Sequence, residues 1–237
     1  MSKAGKRETA AIEQVARHFG ATWEQGDATS PDAYLTLGAK RIAVDVAAIE
    51  VAVAGHGDDA APRLRFDKVA LRLIARLQAA LSPRIADGQA VIFTVTAPIR
   101  LPSKTVDELD ARISESLRRA DAPTAMRDTI CENQAQVRFV QGIAGPASKV
   151  IGFVHNPDTD PNLLIDLTAA LLEHIPAAAD KRPPKSFGGD RWLVIADGPG
   201  FAQIATYRHV YSQLGVATDF RKVLVVLPDG QVETLVG

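Results

Sequence analysis

The chain has 237 residues, 46% hydrophobic and 23% charged, which suits a globular protein with a substantial core. Its formal charge of −1 excludes a whole-molecule field that would draw it to nucleic acid or an acidic membrane, so a polyanion would need a local basic patch. A single cysteine, Cys131, excludes an internal disulfide and a cysteine zinc cluster, and no run reaches the ~18–20 apolar residues of a membrane span.

The first ten residues, MSKAGKRETA, lack the apolar stretch of a signal peptide, and the expected location is cytoplasmic. Residues 6–19 read as a helix stopped by Gly20, with Ile12, Val15 and Phe19 on one face. AYLTL (33–37) and RIAVDVAAI (41–49) read as strands joined by a short turn, hence an antiparallel hairpin. A Gly-rich loop containing His56 follows. Residues 62–81 predict an amphipathic helix with Phe66, Val69, Leu73 and Leu77 as its apolar stripe. AVIFTVTAPI (90–99) is a buried-strand run, and 103–120 a third helix with Ser103 as its cap.

Two more strands are expected between 136 and 155, then a helix over 160–175. Residues 176–190, PAAADKRPPKSFGGD, are the most loop-like stretch. RWLVIADG and KVLVVLP are buried strands with a helical segment, 200–213, between them. This last piece is too short to bury its own core, so it should complete the first sheet. The expectation is one α/β domain over 1–237, a mixed sheet covered by helices.

Two acids stand out. In the strand 41–49, Ile42, Val44 and Val46 point to one face and Ala43, Asp45 and Ala47 to the other. A carboxylate on a half-buried strand is unfavourable without a cation, a basic side chain or a wet cleft. Asp32 precedes the partner strand, and a tight hairpin would bring it towards Asp45. Two converging carboxylates suit a hard divalent cation, which activates water and stabilises charge on a phosphate. On the first helix, Glu8 shares the apolar face and points to the sheet, while Glu13 is nearly opposite and solvated.

A helix with an inward Glu, a glycine, SPDAYL, a turn and AVDVAAI resemble the PD-(D/E)XK family, the restriction-endonuclease-like nucleases. Glu8 lies where resolvase-like members carry their helical glutamate. The resemblance spans residues 6–50, and helix 62–81 with strand 90–97 would complete an αβββαβ core over about 6–100. Residues 101–237 would be an extension ending in strand, helix and strand. The resemblance implies a divergent, Mg2+- or Mn2+-dependent deoxyribonuclease. Asp32 and Asp45 would be its metal ligands, Glu8 a further catalytic acid, and Arg65, Lys68 and Arg72 its contacts to DNA. It departs at Ala47, where the family carries its lysine. Lys68, Arg65 and Arg72 are available on the next helix, with Lys68 nearly opposite its apolar stripe, while Lys40 and Arg41 lie at the turn end of the strand, too far along it to replace position 47.

The alternative is a non-catalytic interaction module that keeps this fold. A third reading is a nucleotide-binding α/β protein using IADGPG (195–200), between a strand and a helix but without GxGxxG spacing. The five histidines show no HxxxH or HExxH spacing. Tyr207 and Tyr211 are four apart on a helix and suit packing.

Overall fold

The computed structural model describes residues 5–26, 31–49, 64–119, 124–143, 147–157, 160–198, 203–216 and 218–237. It is a mixed α/β protein with two sheets flanked by helices. The chain divides into two compact units: residues 1–54, 173–208 and 217–237 form the first, and 55–172 with 209–216 the second.

In the first unit, helix α1 (Lys6–Phe19) is closed by Gly20, whose φ of 64° is a left-handed conformation that glycine adopts without strain. Strands β1 (Thr22–Gln25), β2 (Ala33–Leu37) and β3 (Lys40–Ala48) form an antiparallel meander. The expected hairpin is present, in register Ala33↔Val44 through Leu37↔Lys40. Strand β8 (Arg191–Ala196) lies parallel to β3, β9 (Lys222–Val226) parallel to β8, and β10 (Val232–Val236) antiparallel to β9. The last two predicted strands therefore do complete the first sheet.

Helix α1 buries Ala11, Ile12, Val15 and Ala16 in one apolar cluster with Ile42, Val44, Val46, Val194 and Leu224. It thus covers the branched face of β3, and Asp45 projects from the other face.

The second unit has a sheet in the order β5-β6-β4-β7, made of β4 (Gln89–Thr96), β5 (Ala125–Ile130), β6 (Asn133–Gln141) and β7 (Val150–His155). Helices α2 (Lys68–Leu81) and α3 (Pro102–Arg118) share its core through Leu73, Leu77, Leu109 and Ile113. The buried stripe of α2 is Ala70, Leu73, Leu77 and Leu81. Phe66 and Val69, expected on it, are 57% and 44% exposed. For Phe66 the reason is local: the Asp67 carboxylate accepts the N–H groups of Val69 and Ala70, which starts the helix after Phe66. In α3 the cap position is Leu101 followed by Pro102, not Ser103.

In this sheet Phe93 pairs with Gly152 on the parallel neighbour. A Cβ at Gly152 would stand 2.1 Å from Phe93 Cζ. Gly152→Ala is expected to lower stability by about 1–3 kcal/mol through overpacking. The urea midpoint should fall with an unchanged slope; an unchanged midpoint contradicts it.

Strand β4 belongs to this second sheet, so helix 62–81 and strand 90–97 do not continue the sheet of β2 and β3. The continuation comes a hundred residues later. Helix α4 (Pro161–Asp180), whose residues from Glu173 on belong to the first unit, leads into β8. The first unit therefore reads α1-β1-β2-β3-α4-β8, three antiparallel strands and a fourth parallel to the third, followed by the first turn of α5 (Ile204–Leu214), whose residues from His209 on belong to the second unit, and by β9 and β10. Helix α4 also runs through Pro176 to Asp180, further than the proline suggested. Among the described residues, no helix is long and apolar enough to cross a membrane.

Candidate functional site

The site is built on the face of β3 opposite α1. Asp45 is fully buried there. Its Oδ2 accepts a hydrogen bond from Arg191 Nη2 at 2.9 Å, and Arg191 is itself only 6% exposed. Arg191 is the first residue of β8, whose pairing with β3 in the register Ala43↔Arg191 fixes its approach to Asp45. Its other Nη donates to Asp219 at 2.6 Å, and the guanidinium lies over the Phe220 ring, 4.7 Å from its centre. It also donates to the carbonyls of Ala178 and Lys181, so it caps the C-terminal end of α4, where a cation is favoured.

Continuing the hairpin register by one residue sets Asp32 level with Asp45. Asp32 Oδ2 accepts the N–H of Val46 at 2.8 Å. Both oxygens of Asp32 lie 3.0 Å from Lys181 Nζ. The Asp32 side chain is 19% exposed and that of Lys181 44%, so this pair opens to solvent while Asp45 does not.

Burial pushes the Asp45 carboxyl up to about 6. The Arg191 hydrogen bond and charge oppose that rise, the neighbouring Asp32 adds to it, and Lys181 opposes it. Arg191 has its own pKa raised: burial works against its charge, and the bonds to Asp219 and Asp45 more than offset this. Asp45 Oδ1 is buried and accepts no hydrogen bond from a described residue. A buried carboxylate oxygen in that position is costly unless a ligand or a proton meets it.

Of the three acids read from the sequence, Asp32 and Asp45 come together and Glu8 does not join them. The Glu8 carboxylate accepts the Gly5 N–H at 2.6 Å and closes a capping box at its own helix end. It lies on the helix that packs against the far face of β3. Glu13 is exposed, as expected. Among the described residues, no group of three or more His, Cys, Asp and Glu side chains is arranged to hold a metal ion.

Of the basic residues read from the sequence, Lys68 and Arg72 are exposed on α2 in the second unit, and Arg65 is paired with Asp67 at 3.0 Å. Arg41 pairs with Glu24 and covers the Tyr34 ring. Tyr207 is fully buried and donates to Asp197 at 2.8 Å, a packing role. His56 lies outside the described residues, as do Gly200 and Pro199 of IADGPG.

Sequence reasoning missed Lys181 and Arg191. Arg191 opens an otherwise apolar strand, RWLVIA, so it is a buried cation that answers the buried anion of β3. Lys181 lies in a stretch that reads as linker. The sequence matches no protein-family model and no curated protein, and no solved structure matches the fold.

Proposed function

We propose that the chain is a divergent PD-(D/E)XK-type protein that cleaves DNA phosphodiesters, with Lys181 serving in place of the lysine missing at Ala47. The observation that carries this reading is the Lys181 ammonium, 3.0 Å from both oxygens of Asp32 and beside the buried Asp45. The α-β-β-β-α-β order supports it, because Asp32 precedes the second strand, Asp45 sits on the third, and Lys181 directly follows the second helix.

The donor set is all oxygen, and the unpaired buried Oδ1 of Asp45 fits a hard cation. Asp32 and Asp45 would hold Mg2+ or Mn2+, which when bound supplies Lewis-acid charge at the phosphate and acidifies water. Arg191 is a positioning residue that fixes Oδ2 of Asp45 and leaves Oδ1 for a ligand. Lys181, on an exposed stem, can leave Asp32 and meet negative charge developing on the phosphate. Lys68 and Arg72 are exposed on the second unit and are candidate DNA contacts of that unit by itself.

Purified protein should cleave single-stranded, double-stranded or branched DNA in Mg2+ or Mn2+, and Asp45→Asn should not. Equal cleavage by both would move the activity away from this site. One observation favours a second reading, a non-catalytic module: the Asp45–Arg191 pair already neutralises the buried acid. Absence of calorimetric heat with either cation, together with no DNA retention at low salt, would leave that reading alone.

A further inference from the structure

The segment that follows Lys181 forms one wall of a cavity of about 860 Å³ within the first unit. Arg182, Lys185, Arg191 and Arg221 line it, against Asp190 and Asp219. Asp219 is already bound to Arg191 at 2.6 Å. Arg182, Lys185 and Arg221 are exposed, and the Arg182 charge also helps to hold Asp219 ionised. Two aromatic rings also line it: Phe220, under the Arg191 guanidinium, and Phe187, against the Tyr34 ring.

The cavity is joined to the acid pair in two ways. Arg191 reaches both, donating to Asp45 on one side and standing in the cavity wall on the other. Lys181, bound to Asp32, is the chain neighbour of Arg182. Three solvated cations around a concavity with aromatic rings suit a polyanion whose charges repeat along a chain, with apolar groups between them.

We propose that this cavity holds the sugar–phosphate backbone of a nucleic acid, with Arg182, Lys185 and Arg221 contacting successive phosphates beside Asp32 and Asp45. The proposal deepens the nuclease reading and rests on it for the choice of nucleic acid over other polyanions. Binding is separable from cleavage, because none of the three cations belongs to the acid pair.

The test is fluorescence anisotropy of end-labelled single- and double-stranded DNA, without divalent metal, at 50–200 mM salt. Wild type should bind both DNAs, more weakly as the salt rises. The triple variant Arg182→Ala/Lys185→Ala/Arg221→Ala should bind at least about tenfold more weakly. Its salt slope should be smaller by about 2–3, near 0.7–0.9 for each phosphate that is no longer neutralised. All three positions are exposed, so an unchanged melting temperature is expected. Lys185→Glu alone should weaken binding in the same direction.

Equal binding by wild type and the triple variant would overturn the proposal while leaving cleavage at Asp45 intact. Absence of DNA binding by wild type would overturn it as well. Displacement of labelled DNA by poly-glutamate at equal charge concentration would assign the cavity to an acidic peptide instead. Loss of cleavage in Asp45→Asn with the triple variant still binding poorly would separate the two functions as proposed.

Discussion

Arg191→Met should destabilise the protein by about 3–5 kcal/mol at pH 8, the cost of leaving one partner of a buried ion pair alone. The substitution keeps the apolar stem over Phe220 and removes every hydrogen bond to Asp45, Asp219 and the end of α4. The loss should depend on pH in a definite direction. Already in the wild type the folded Asp45 holds its proton up to about pH 6, above its ordinary value of 3.8. The folded state therefore binds the proton more tightly than the unfolded chain. Its contribution is fully present below about pH 4 and is lost as pH rises through 6. Without Arg191 the carboxyl titrates higher still, and protonation relieves the uncompensated charge. Urea unfolding of Arg191→Met should therefore show a smaller deficit at pH 5 than at pH 8. A deficit equal at both values would mean that Asp45 is not the group left exposed to the loss. Replacing both partners, Asp45→Leu with Arg191→Met, should recover most of the stability, since a well-packed apolar pair often equals or exceeds a buried salt bridge. That double variant also separates two roles. A pair kept only for folding can be replaced without functional loss, whereas a pair that includes a ligand cannot.

Much of the first unit was legible because its signals are local. Helix α1, its glycine stop and the β2–β3 hairpin follow from periodicity and a short turn. The alternation of β3 correctly isolates Asp45 on its own face. The same alternation also held the answer for Glu8. An amphipathic helix takes the face with Ile42, Val44 and Val46, and that choice sends its glutamate to the side away from Asp45. The fourth strand was not legible in position, because nothing local distinguishes 90–97 from 191–196 as the partner of β3. Parallel pairing is a long-range choice, here made across an inserted unit. Asp45 needs a cation, and the sequence offers Arg65, Lys68 and Arg72 on the next helix, which belongs to the second unit. The cation that meets it is 146 residues away, at the start of a strand whose only charge is Arg191. Lys181 was hidden by Pro176, which reads as a helix end although α4 continues to Asp180.

Lys181→Met should move two measurements in opposite directions. The Lys181 ammonium occupies both oxygens of Asp32 at 3.0 Å, so it competes with any cation that would use them. Removing it removes a like charge beside that cation. Calorimetric titration with Mg2+, or with Ca2+ as a non-reactive probe, should therefore show tighter binding in Lys181→Met than in wild type. Cleavage of DNA should fall by about 10²–10³, the range for losing one well-placed group that meets charge in the transition state. Asp32→Asn should weaken both. Lys181→Arg should restore cleavage only in part, since the planar guanidinium cannot replace a compact ammonium on the same stem geometry. A lysine that serves only to neutralise Asp32 gives a different pattern, in which cation affinity rises and cleavage is unchanged or improved. Unchanged cation affinity with unchanged cleavage would remove Lys181 from the site altogether, and the nuclease reading would then lack any basic residue at the position of Ala47.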